Sequence, residues 1–303
     1  MAILVAMLTT AVAAYIVTTM MSAQYQNISR TESLLHHEQG WLYSRGIDAW
    51  AIGALNADLE KNSIDSGFDI WNYPIKQTAI KGGSLSASII DLQAFFNLNN
   101  LVGARGPNGL EIMRFNRLLR NLELPLDVTD SIVDWIDGNS TVTYPNGAED
   151  DYYTNKEQPY RTANNMIYHT SELMLIKGIS YDVYEKLKPH IASLPVNIPI
   201  NVNTASIEVL RTLADGITVE DAENIIATRS DKPFASVEEF IEHPALAGRE
   251  ISAEKLSVST SYFHVSGIVS IGNHMLHYAS VINRDSVKRS HVIQKTRERI
   301  FHD

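Results

Sequence analysis

The first 23 residues, MAILVAMLTTAVAAYIVTTMMSA, carry no charged side chain, and the first charge along the chain is Arg30. Such a start must be given an apolar environment. As a helix it rises about 34 Å at roughly 1.5 Å per residue, enough to cross a hydrocarbon layer of roughly 30 Å. A secretory signal peptide would have a basic region in front, a shorter apolar core and a small-residue cleavage site behind. Met1 to Ala23 has no basic front, which leaves an uncleaved anchor or a numbering that begins at a processed end.

Apolar residues at helical steps continue through Ile28, Leu34, Leu35, Trp41, Leu42, Ile47, Trp50, Ala51 and Leu55. One long helix is implied, its first third in lipid and the rest lying along a soluble domain. Gly40 and Gly46 are its weak points, costing up to about 1 kcal/mol each. The pattern breaks into a loop around Trp71 to Pro74, and beyond Gly82 and Gly83 the runs SLSASIID and LQAFFNLNNL read as strands. Lys255 to Ser286 holds three β-rich runs broken at Ser261 and at Gly272 and Asn273, the pattern of an antiparallel meander.

Helical signals dominate between these β-rich halves. Leu118 to Asp137, Leu173 to Ile191 and Val209 to Arg229 each show an apolar turn, a short break and an acidic start to a new helix, and FNLN at Phe96 to Asn99 echoes INVN at Ile200 to Asn203. The expectation is an α+β fold: a long N-terminal helix on an antiparallel sheet, with an inserted all-α domain of loosely repeated helical hairpins packed into one small core. The boundaries read as a membrane helix at 1–23, an α/β domain from 24–102 and 249–303, and the insert at 103–248.

The segment WIDGNSTVTYPNGAEDDYY, Trp135 to Tyr153, gathers acids with no Lys or Arg among them. Crowded carboxylates raise one another's pKa unless a cation or a set of donors holds them. Asp134 and Asp137 lie about one helical turn apart on a helix end, Asn139 adds an amide oxygen, and Pro145 to Gly147 turn the chain back toward Glu149, Asp150 and Asp151. Oxygen donors in an irregular loop suit calcium, with its six to eight ligands, better than octahedral magnesium; no histidine lies in the loop to favour zinc or copper. The spacing is not that of an EF-hand. The bland alternative is a solvated acidic loop.

Residues 201–250 have the outline of a helix-hairpin-helix unit around Gly216, a shape used to grip nucleic acid backbones. Ten acids there face only Arg211, Arg229, Lys232 and Arg249, and the whole chain carries a net charge of −10, so phosphates are repelled. Cysteine is absent, which excludes thiolate chemistry and disulfides. His274 and His277 fall three apart on a strand and so face opposite ways, and neither a nucleophile elbow nor a phosphate-cradling loop accompanies His36 and His37; no enzyme is read here. The basic tail Lys288, Arg289, Lys295, Arg297 and Arg299 could touch lipid headgroups, though its spacing is that of a solvated final strand.

The uncharged N-terminal helix, DLQAFFNLN (Asp91 to Asn99), VDWID (Val133 to Asp137), GAEDDYY (Gly147 to Tyr153), PYRTANN (Pro159 to Asn165), SEL (Ser171 to Leu173) and INVNTA (Ile200 to Ala205) together resemble the minor pseudopilin K family of type II secretion systems. The resemblance runs over nearly the whole chain. It implies a pseudopilin fold with a large inserted α-domain of helix-hairpin-helix, SAM-like repeats, and a non-enzymatic role at the tip of the pseudopilus. It implies partners: minor pseudopilins I and J, other pseudopilins, the inner-membrane secretion platform and the prepilin peptidase. It also implies calcium in the loop of Asp134, Asp137, Asn139, Glu149, Asp150 and Asp151, with Asn139 standing where aspartate is common. By the same resemblance Met1 is the mature, N-methylated end, Val5 replaces the usual pseudopilin glutamate, and the protein sits in the inner membrane by a single span with its bulk in the periplasm. The competing reading is a periplasmic helix-hairpin-helix protein of DNA uptake.

Overall fold

The computed structural model describes residues 1–285 and 289–298. Helix α1 (Ala2–Leu59) is one unbroken helix of 58 residues, about 87 Å long at about 1.5 Å per residue. Its two ends live in different surroundings. Residues 1–32 are exposed throughout, whereas Gly40, Ser44, Ile47, Asp48, Ala51, Leu55 and Asp58 form a buried stripe at three- and four-residue steps.

That stripe lies on a five-stranded sheet of β1 (Ile75–Ile80), β2 (Gly83–Asp91), β3 (Tyr262–Ile271), β4 (His274–Asp285) and β5 (Arg289–Glu298), in this order, each antiparallel to the next. Ile47, Ala51 and Leu55 pack on Ala87, Ile89, Phe263, Val265, Val269 and Ile282. Each large aliphatic buried this way is worth about 1.5–3 kcal/mol. Gly267 permits the close approach, since a Cβ there would stand 2.4 Å from Ile47 Cδ1. Inside the interface Tyr278 and Ser280 donate to Asp48 at 2.6 and 2.7 Å, and Lys295 pairs with it at 2.8 Å.

Two expectations from the pattern of residues are corrected, and one strand was not foreseen. Leu92 to Leu101 is not a strand: 3-10 turns at Leu92–Ala94 and Leu98–Leu101 flank a two-residue strand, because Asp91 and Asn97 accept from the backbone N–H groups of Gln93 and Asn99 and turn the chain. The run at Lys255 is not part of the meander, whose strands are β3, β4 and β5; Leu256–Ser257 pairs in parallel with Ile200–Asn201 instead. Strand β1 gave no alternating signal because its middle residues are all exposed. Lys288 and Arg299 of the basic tail lie outside the described residues.

Everything between β2 and β3 is inserted, and it has two cores rather than one. The first is built from Phe96, Leu98 and Leu101 with α2 (Gly109–Asn121), α3 (Val128–Ile136), α4 (Asp150–Thr154) and α5 (Tyr181–Leu187). The second spans Ile200 to Leu256 and contains α6 (Ile207–Leu210), α7 (Val219–Asp231) and α8 (Val237–Ile241). The FNLN and INVN echoes perform the same job in each. Asn97 and Asn201 each accept from the N–H two residues on, and Asn99 and Asn203 each clasp a distant peptide in both directions, at Ile167 and at Phe234. Short parallel pairings, Phe96–Asn97 with Ile191–Ala192 and Ile200–Asn201 with Leu256–Ser257, complete the likeness.

The insert joins the sheet where α1 ends. Asp91, wholly buried, accepts from Gln93 N, Asn201 Nδ2, Thr204 Oγ1 and Thr260 Oγ1. Burial pushes its carboxyl up to about 6 against the pull of those bonds. At this same end Arg284 of β4 reaches Asp58 of α1 at 3.3 Å, while the opposite end of the sheet meets α1 at Gly40 and His36. The insert therefore covers the end of the head remote from the apolar stem.

Asp48→Ala is expected to lower the stability of the full chain in detergent by about 1–3 kcal/mol, since it leaves Tyr278 and Ser280 without their buried acceptor. A thermal melt followed by circular dichroism checks this, and an unchanged midpoint would refute it.

Candidate functional site

The acidic segment is built on one face of α3. Asp130 Oδ2 accepts from Asn146 N at 3.2 Å, Ser131 Oγ donates to Asn146 O at 2.9 Å, and both oxygens of Asp134 accept from Thr143 N at 3.0 and 3.1 Å. These positions recur at helical spacing and hold the returning arm of the loop against the helix. Gly147 passes so close that a Cβ would stand 2.1 Å from Asp134 Oδ2 and 2.5 Å from Thr143 O. Entry and exit are pinned by rings: Trp135 of α3 meets Tyr153 of α4 edge to face at 5.4 Å, and Tyr160 packs against both.

The segment has no cation of its own, and the fold brings one from elsewhere. Lys177 donates to the carbonyls of Asn146 and Gly147, both at 3.1 Å. Its partners are backbone carbonyls, and the buried carboxylates Asp134, Asp137 and Glu149 form no ion pair with it.

Of the six residues singled out from the sequence, Asp134, Asp137 and Glu149 are buried. Desolvation, then repulsion from Asp134 and Asp137, pushes Glu149 up to about 7, and burial raises Asp137 as well. Both oxygens of Glu149 are enclosed and have no hydrogen-bond partner. The other three point to different tasks. Asn139 is exposed and its Oδ1 accepts from Thr141 N at 2.7 Å; Asp150 accepts from Thr162 N at 3.0 Å and lies 3.7 Å from Arg161; the Asp151 side chain is exposed. Buried all-oxygen donors with unsatisfied lone pairs suit a hard cation. As they stand, the loop carboxylates do not gather to within 4.8 Å of one another, a closeness that among the described residues is reached by Asp58, Asp65 and Asp69. Sequence patterning missed that second group because Lys61 interrupts its acids and Arg284, which pairs with Asp58 and Asp65, comes from far along the chain.

The hairpin around Gly216 offers phosphates nothing. Gly216 has a positive φ of 77°, and Thr218 caps α7 in a reciprocal box with Asp221. All four basic residues of 201–250 are engaged internally: Arg211 with Glu208, Arg229 with the carbonyls of Val202 and Ala205, Lys232 with Glu239, and Arg249 with Asp221 and Gly216 O. Arg229 is buried enough that its guanidinium is lowered to about 10. His274 and His277 do alternate along β4, and His274 instead meets the ring of His36 at 5.6 Å.

Residues 94–196 and 200–259 match two family models, both described as type II secretion system (T2SS), protein K. The division between the two falls where the two cores of the insert meet. Type II secretion system protein K of Pseudomonas aeruginosa is 31% identical over 294 residues, covering 93% of this chain and 88% of the relative. The protein of the same description from Aeromonas hydrophila is 29% identical over 307 residues, covering 94% and 92%. Among solved structures, the crystal structure of the GspK-GspI-GspJ complex from the type 2 secretion system of enterotoxigenic Escherichia coli matches with a TM-score of 0.80 at 25% identity, over 89% of this chain and 100% of that one.

A pH test follows from Glu149. Its folded-state pKa is raised, so its contribution to stability is present below its ordinary value and is lost as the pH climbs through about 7. In chelator, the melting temperature of the full chain is expected to decline less steeply between pH 4.5 and 7.5 in Glu149→Gln than in the parent. Identical slopes would contradict the burial of an ionisable, unpartnered carboxylate.

Proposed function

This chain belongs to the type II secretion system protein K family, and we propose that it closes the tip of the secretion pseudopilus. It is a minor pseudopilin, a structural component of protein export, with the long N-terminal helix and antiparallel sheet of its relatives. The observation that carries the tip reading is the place of the insert. A head whose two extra cores sit over the end remote from the stem leaves no room for a further subunit to stack above it.

The stem supports the same reading from below. Ala2–Leu59 is long and apolar enough to cross a membrane, and none of its most apolar stretch is buried within the chain. Lipid covers it before assembly, and neighbouring helices cover it in the fibre. This suits a single-pass inner-membrane protein whose head lies in the periplasm. With Val5 in place of a glutamate, the N-terminal turns bring no carboxylate to pair with the amine of a subunit ahead, as befits the first subunit of a fibre. The prepilin peptidase and the inner-membrane secretion platform are the further partners we assign to the stem.

The protein described with the solved relative is in complex with GspI and GspJ, and pseudopilins I and J are the partners we assign here. The insert, with its asparagine-locked halves, is read as repeated helical-hairpin units of the helix-hairpin-helix, SAM-like type. Their role is bulk and docking rather than nucleic acid binding, because their cations are spent internally; a DNA-uptake function finds no support. Calcium is the cation we assign to the acidic loop, held by Asp134, Asp137 and Glu149, with Asn139, Asp150 and Asp151 as the nearby oxygens that could complete the shell after loop movement. It would order the loop rather than perform chemistry.

Two measurements test this reading. Affinity-tagged full chain, solubilised from membranes, is expected to bring down pseudopilins I and J together; recovery of the chain alone would refute the tip complex. Calcium is expected to raise the melting temperature of the purified chain, with a smaller rise in Glu149→Gln. Equal shifts in parent and variant would remove calcium from the loop.

A further inference from the structure

We propose that the C-terminal end of α1 carries a cation site of its own, formed by Asp58, Asp65 and Asp69, which takes a divalent ion of the oxygen-preferring, calcium type. One carboxylate oxygen from each of the three lies within 4.8 Å of the others. Asp58 and Asp65 are buried and Asp69 is partly exposed.

The state of Asp65 is what separates this group from an ordinary acidic patch. It is 1% exposed. Its Oδ2 accepts from Thr260 N at 2.7 Å and from Arg284 Nη2, while its Oδ1 is enclosed with no hydrogen-bond partner. A buried carboxylate oxygen without a donor costs free energy unless something positive meets it. An ion shared with Asp58 and Asp69 supplies that charge.

Charge counting gives the valence. Three ionised carboxylates against the single guanidinium of Arg284 leave two negative charges, which a divalent cation cancels. The helix adds to the demand. The last turn of α1 contains Asp58 and no basic residue, so a carboxylate sits at the negative end of a 58-residue helix dipole, where a cation is favoured.

The donors select the class of ion. All are carboxylate oxygens, with no histidine or cysteine in the group, which excludes a preference for zinc or copper. A route from solvent exists, because Asp69 lines an open recess of about 460 Å³ with Asn62, Ser66, Phe68 and Lys232. Irregular loop donors around a fixed guanidinium suit calcium's flexible shell better than a strict octahedron. The ion would fasten three pieces that meet here: the end of the stem helix, the loop leading to β1, and the sheet, through Thr260 just before β3 and Arg284 of β4.

This site does not depend on the acidic loop, and the two fail separately. Calcium bound per chain is counted by equilibrium dialysis of the full chain in detergent. Binding is expected to persist in D137N/E149Q, to vanish when D69N is added, and to fall by one ion in D69N alone. In chelator, D69N is expected to melt at or above the parent, because it removes a like charge; circular dichroism verifies the fold, and D69S serves as the second variant. An unchanged ion count in both D69N and D69S, or no binding in D137N/E149Q, would overturn the proposal. Equal counts in D137N/E149Q and the parent would reject the loop instead and leave this site standing.

Discussion

One helix in two solvents is the constraint on which the structure depends. The first 32 residues of the chain have no protein cover, and apolar surface left in water costs about 25 cal/mol per Å². From Gly40 onward the same helix is fixed to the sheet through Ile47, Ala51 and Leu55 and through the buried Asp48. The stem therefore cannot retract into the head, and the head cannot slide along the stem. Whatever covers the stem, lipid or other helices, carries the head with it as a rigid extension.

The insert is joined to this frame by polar groups rather than by a broad apolar seam. Asp91, Asn201, Thr260, Asp65 and Arg284 bond across the junction of α1, the sheet and the second helical core. Buried networks of this kind fix a geometry, since each partner would be left costly and unpaired if the pieces shifted. An extra domain placed on top of a stalked head is useful only if it stays there. The two acidic clusters flank this arrangement, one under the loop that decorates the first core and one at the end of the stem helix. In both, carboxylates are buried beyond what the surrounding donors satisfy.

Much of this was legible in the residues. The charge-free start and the long three-four rhythm gave α1, and the alternation in SLSASIID gave β2. The short motifs DLQAFFNLN and INVNTA identified the family, and their asparagines prove to be backbone clasps, Asn99 on Ile167 and Asn203 on Phe234. The same asparagines explain the misreading of Leu92 to Leu101 as a strand: apolar content suggested a ladder, but side-chain acceptors turned the backbone before one could form. Asp134, Asp137 and Glu149 were visible as a cluster because no Lys or Arg interrupts the segment that holds them. Asp58, Asp65, Asp69 and Arg284 were not, since the guanidinium comes from the far end of the chain and no local spacing announces it. Nor could the sequence tell that Asn139 and Asp151 face solvent while Glu149 is enclosed.

The central claim is geometric: the insert closes the end of the head that points away from the stem, so nothing is added beyond it. Electron microscopy of sheared pseudopili, with a gold label directed at the insert, tests this most directly. The account predicts one label per fibre, at a fibre end. Labels distributed along the shaft would contradict it.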